Sequence, residues 1–133
     1  INMLEFIPVY LTAAILGIMI FFSFVVAPVI FTTLNEENAR KFIRKIFPFY
    51  YNVNLVLSSI IALIYIILKS YNLNFFLILT VTFLFFLSNF ILMPLINRFR
   101  DERKDKQFKY SHFLSVIINF FQILILLIIL ILA

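Results

Sequence analysis

Residues 113–133 read FLSVIINFFQILILLIILILA, a run without a single charged side chain. It meets the ~20 apolar residues that a helix needs to cross ~30 Å of hydrocarbon. Three more uncharged runs lie upstream, at residues 6–34, 46–68 and 70–97. None of the four alternates polar with apolar, as a membrane barrel strand would. In lipid, only a helix satisfies every backbone N–H and C=O within its own segment. The pattern predicts an all-α fold, an antiparallel bundle of four transmembrane helices, with residues 1–133 as one domain. The first run would extend about 43 Å as a helix. It should therefore tilt, or pass beyond the membrane after Pro28, where a kink is expected.

Composition points the same way. Sixty-five per cent of the residues are hydrophobic and 13 per cent are charged, against roughly 45–50 and 25 per cent in soluble domains. A chain this short buries too little surface to hide that excess in its own core, so lipid covers the rest. The net charge of +5 does not indicate nucleic acid, because the basic residues sit in short segments between apolar runs. Anionic lipid headgroups are the simpler partner. With no cysteine in the chain, disulfides, iron–sulfur clusters and thiol chemistry are excluded. The chain opens Ile1-Asn2-Met3, which makes Met3 a candidate start or the sequence a fragment of a longer one. The first apolar run is too long, and lacks the basic flank, for a cleavable signal peptide.

Orientation follows from Lys and Arg. Arg40, Lys41, Arg44 and Lys45 lie between the first two runs. Arg98, Arg100, Arg103, Lys104, Lys106 and Lys109 lie between the last two, and only Lys69 lies on the other side. The positive-inside rule puts segments 35–45 and 98–111 in the cytoplasm and both termini outside, with a bacterial inner membrane as the expected location. Asn35 suits a helix cap, Glu36 and Glu37 suit a first turn, and Ala39, Phe42, Ile43 and Ile46 recur at helical spacing. This predicts a short interfacial helix between spans one and two, stopped by Pro48. Its other face would set Arg40, Lys41, Arg44 and Lys45 against lipid headgroups.

Polar residues inside the apolar runs are the candidate functional positions, since lipid offers them no hydrogen bonds. His112, Ser115, Asn119 and Gln122 follow at spacings of three, four and three, which form one stripe on the last helix. Candidate partners are Asn54, Ser58 and Tyr65 on span two, and Thr82 and Asn89 on span three. Ala13-x-x-x-Gly17 and Ser23-x-x-x-Ala27 on span one would let helices approach closely. The uncharged polar residues read first as interhelical glue. His112, at the rim of the membrane, reads either as an interfacial residue or as a ligand. No Asp, Glu, Lys or Arg interrupts a run, which argues against a proton relay. The sequence shows no catalytic set and no metal cage.

Gly17-Ile18-Met19-Ile20-Phe21-Phe22-Ser23-Phe24 with Ala27-Pro28-Val29-Ile30-Phe31, then Ile46-Phe47-Pro48-Phe49-Tyr50-Tyr51, then His112-Phe113-Leu114-Ser115 with Asn119, resembles the transmembrane protein 205-like family. These are small four-helix membrane proteins of bacteria and eukaryotes. The resemblance implies Pro28, Phe31, Phe47, Pro48 and Tyr50 as signature positions, together with His112, Ser115 and Asn119. In architecture alone the chain is also distantly similar to copper-resistance D proteins and haem-containing protoporphyrinogen oxidases. The leading expectation is a non-enzymatic module, in a homo-oligomer or a larger membrane complex, with no cofactor. The alternative is a haem- or metal-linked redox protein using His112, since one proximal His can hold haem. A weaker alternative is small-solute transport through an oligomer.

Overall fold

The computed structural model describes residues 3–133; Ile1, and with it the question of the native start, lies outside them. Four helices long and apolar enough to cross a membrane account for nearly all of the described chain: α1 (Met3–Thr33), α2 (Glu36–Ile67), α3 (Leu73–Asp101) and α4 (Asp105–Leu132). They form an antiparallel ring. Helix α1 packs on α2 and α4, and α3 packs on the same two from the opposite corner.

The connections are short because the helix ends are well specified. Asn35 Oδ1 accepts the Asn38 N–H at 2.8 Å and opens α2, and Asn72 Oδ1 accepts the Phe75 N–H at 3.1 Å and opens α3. Helices α2 and α3 end at Lys69 and Arg103, both left-handed with φ of 54° and 55°. Each end is closed by a six-to-one backbone bond, Ser70 N–H to Tyr65 C=O and Lys104 N–H to Phe99 C=O, both 2.9 Å.

The expected interfacial helix is not a separate element. Its residues are the first turns of α2, which runs through Pro48 without a break. The capped start at Asn35 is as predicted, but Pro48 does not stop the helix. Loss of one donor is tolerated because every other turn of this long helix keeps its bonds. Likewise, residues 98–101 finish α3 and residues 105–111 begin α4, so the second basic segment is mostly helix.

Helix α1 runs on through Pro28, where a kink is expected from the sequence, and its regular ladder changes just before that proline. Phe22–Val26 forms a π-turn, and a second, Ser88–Leu92, precedes Pro94. Proline donates no N–H and crowds the carbonyl four residues back. Widening the preceding turn moves that carbonyl aside.

The half of the bundle distant from the basic end is tightly packed. Ile15, Met19, Ile61, Ile78, Val81, Phe85 and Leu126 are fully enclosed. Around them, Phe21, Phe76, Phe83, Phe121 and many aliphatic side chains face outward, an apolar exterior far larger than a soluble monomer carries. Ala13 and Gly17 are on this exterior, and a Cβ at Gly17 would meet open space. The pair therefore does not bring helices together within the chain, contrary to expectation. In lipid, helix association rests on close packing and interhelical hydrogen bonds, and the latter are few and specific.

Candidate functional site

At the basic end all four helices line a cleft of about 560 Å³. Each helix contributes to it for a local reason. The π-turn of α1 directs Phe22 and Ser23 inward, and Pro28 and Phe31 continue the wall. On α2, positions 36, 40, 43, 47, 50 and 51 follow helical spacing and line it from mouth to floor. Met93, Ile96, Asn97 and Arg100 line it from α3, and Phe108, His112, Ser115, Asn119 and Phe120 from α4.

The floor is polar and its groups are occupied with one another. Tyr50 Oη donates to Asn119 Oδ1 at 2.7 Å, and Asn119 Nδ2 donates to Ser23 Oγ at 2.8 Å. Three helices are thereby tied at one point. The inner wall is aromatic: Phe22 stacks on Tyr50 with ring centres 4.3 Å apart, and Phe47 meets the Phe22 ring edge-on at 5.3 Å. Tyr51 completes the cluster, its ring 5.3 Å from Tyr50.

The mouth is charged. Arg44 clasps Asp101 with both nitrogens, at 2.5 and 3.3 Å, and also donates to the Asn97 carbonyl at 3.3 Å. Glu36 Oε1 bridges Arg100 on α3, at 3.1 Å, and Arg40 on its own helix, at 3.5 Å. Arg100 lies over the Phe108 ring, 4.8 Å from its centre, and His112, one turn further along α4, has its ring 5.9 Å from Phe108 and nearly parallel to it.

The predicted stripe on α4 divides. His112, Ser115 and Asn119 line the cleft. Gln122 is 1 % exposed in the packed half, where its Nε2 donates to the Val81 carbonyl of α3 at 3.0 Å. Ser115 bonds only the His112 carbonyl of its own helix. Of the signature positions, Pro28, Phe31, Phe47 and Tyr50 line the cleft and Pro48 does not. Of the four basic residues expected at headgroups, Arg40 and Arg44 turn into the mouth, while Lys41 pairs with Glu37 at 3.4 Å and Lys45 is exposed. Asn89 donates to Asn52 of α2 at 2.9 Å, whereas Thr82 bonds only the Ile78 carbonyl of its own helix. Asn54 is fully buried with neither amide atom hydrogen-bonded.

Sequence reasoning used Glu36 as a first-turn residue and Arg100 as an orientation signal, and placed neither of them nor Asp101 in a site. Their one signal was position, since each lies within a turn or two of where an uncharged run ends. No group of three or more His, Cys, Asp or Glu is assembled among the described residues.

An antiparallel four-helix bundle with an apolar exterior, four crossings and a cleft at its basic end defines a small multi-pass integral membrane protein. The chain belongs to the family described as Domain of unknown function (DUF4149), whose profile matches residues 10–105. The matched stretch takes in the α1, α2 and α3 sides of the cleft and stops before His112. Comparison with curated proteins and with solved structures gives no match.

Proposed function

We propose that this chain is a membrane-embedded interaction module that holds an amphiphile in the cleft at its basic end. The observation that carries the reading is the layering of that cleft: guanidinium groups at the mouth, aromatic and aliphatic walls, and a floor whose polar groups already bond one another. A molecule with a polar head and an apolar body matches this order, because walls of this kind favour apolar atoms and the rim favours a hydrogen-bonding head. The likeness of the Phe47-Pro48-Phe49-Tyr50 and His112-to-Asn119 elements to the transmembrane protein 205-like family supports a shared cleft. The basic end is read as cytoplasmic from its excess of Lys and Arg. The outward pair Ala13 and Gly17 supports packing against a further copy or a membrane partner.

The chain has no tryptophan, so Phe47→Trp places a single reporter on the inner wall. In nanodiscs doped with lipids brominated on the acyl chain, its quenching should saturate well before that of Phe83→Trp on the outer face. Filling the cleft with Ser115→Phe should abolish the early saturation. Quenching of both reporters in parallel overturns the reading.

A second reading takes haem as the amphiphile, supported by His112 lining the same cleft as Arg40 and Arg100. The residues fit its needs: an imidazole, apolar walls and cations for its carboxylates. Bound haem would supply one-electron chemistry. This reading requires a Soret band in the purified protein that disappears in His112→Ala, and a featureless visible spectrum overturns it.

A further inference from the structure

The charges at the mouth are not equally committed. Arg44 is held by a two-pronged contact with Asp101 and by the Asn97 carbonyl, so it serves as a strut between α2 and α3. Arg100 and Arg40 share one oxygen of Glu36, whose side chain is 80 % exposed. Exposed single-contact pairs of this kind contribute little. The Arg100 side chain is only 27 % exposed, and the Phe108 ring beneath it fixes its direction. Three guanidiniums against two carboxylates leave the mouth with one positive charge in excess.

The level of the mouth matters as much as its charge. Leu34 and Asn97, where two uncharged runs end, both line it, so the guanidiniums stand where apolar helix gives way to charged helix. Lipid phosphates occupy that depth, held there by acyl chains that extend into the hydrocarbon. Below the mouth the α2 wall carries Phe47, Tyr50 and Tyr51 and no charge, over about 9 Å of helix rise between Arg44 and Tyr50. One phospholipid matches both parts at once. Guanidinium binds phosphate with two parallel hydrogen bonds, a better geometry than its single contact with Glu36. A choline headgroup would instead bring a cation towards three arginines.

We propose that the cleft selects an anionic phospholipid, its phosphate bound by Arg100 and Arg40 in place of Glu36 and one acyl chain running down to Tyr50. The assignment rests on the amphiphile reading above and names the headgroup class for it.

The test uses the full chain carrying Phe47→Trp, in phosphatidylcholine nanodiscs doped with brominated phosphatidylglycerol or brominated phosphatidylcholine. The phosphatidylglycerol should half-quench at about a tenfold lower mole fraction, the scale of one charge-assisted hydrogen bond. Glu36→Gln, which removes the competing carboxylate, should lower that fraction further. Arg100→Gln and Arg40→Gln should each erase the preference. Neutralising Lys106 and Lys109, which lie outside the cleft, should leave the preference intact, and its loss there would assign it to diffuse surface charge and overturn the proposal. Release of brominated phosphatidylglycerol by inorganic phosphate alone would mean a soluble-anion site, and also overturns it. Equal, saturable quenching by both lipids overturns the headgroup assignment but keeps the amphiphile reading. Absence of saturable quenching by either removes both.

Discussion

Tyr50 of α2 and Asn119 of α4 meet through a 2.7 Å hydrogen bond although their helices stand at opposite corners of the ring. The bond crosses the bundle diagonally, and Asn119 extends it to Ser23 of α1. Interhelical bonds in membranes average about 0.6 kcal/mol and reach about 1.7 kcal/mol. A double-mutant cycle of Tyr50→Phe and Asn119→Leu, read by reversible unfolding in mixed micelles, should give a coupling in that range. Asn119→Leu alone should be the costlier single change, because it strands two partners where Tyr50→Phe strands one. Strict additivity of the two changes would mean that the bond contributes nothing to the fold.

Gln122 and Asn119 should behave differently although one stripe contains both. Gln122→Leu removes a bond to the Val81 carbonyl and keeps side-chain bulk in the packed half. A loss of ~0.5–1 kcal/mol of stability is expected, with quenching of the Phe47→Trp reporter unchanged. Loss of saturable quenching in Gln122→Leu would connect the packed half to the cleft.

Asn54 should be a position where an apolar residue is better. Its amide is 0 % exposed and both of its polar atoms lack a hydrogen-bond partner. An unsatisfied buried polar group costs ~1–3 kcal/mol, and leucine has nearly the same shape as asparagine. Asn54→Leu should raise the unfolding midpoint. A clear fall in the midpoint would show that the amide is used by something the chain needs.

The absence of cysteine makes topology directly measurable. Lys106→Cys, at the basic end, should react with a membrane-impermeant maleimide only after cells are opened. Tyr71→Cys, in the turn between α2 and α3, should react in intact cells. The reverse pattern would invert the orientation, and labelling of both from one side would contradict an odd number of crossings between them.

The fold was largely legible because hydrophobic continuity and charge placement act over whole segments. The run at residues 113–133 admits only one kind of structure in lipid, and the Asn35 cap marks the start of α2 correctly. Pro48 misled because the local penalty of one proline is small beside the bonds kept by a 32-residue helix. Ala13 and Gly17 misled because spacing gives a shared face without saying which way that face points. The α4 stripe was legible as a stripe but not as two sites. At about 100° per residue, Gln122 lies about 80° round the helix from His112, enough to exchange α1 and α2 for α3 as its neighbour. The cleft itself was not legible. Glu36 and Arg100 are 64 positions apart, and no linear pattern announces that they share a mouth.

The π-turns at Phe22–Val26 and Ser88–Leu92 stand on opposite corners of the ring, each roughly two to three turns from the basic end of its helix. A π-turn holds one residue more than an α-helix needs for the same rise, and helices bend where the regular ladder is interrupted. Bending at both would swing the last turns of α1 and α3 outward like the two leaves of a valve. The storey beneath, from Ile15 to Leu126, would keep its packing. Admission of a guest and persistence of the fold would then fall to separate halves of a single short chain.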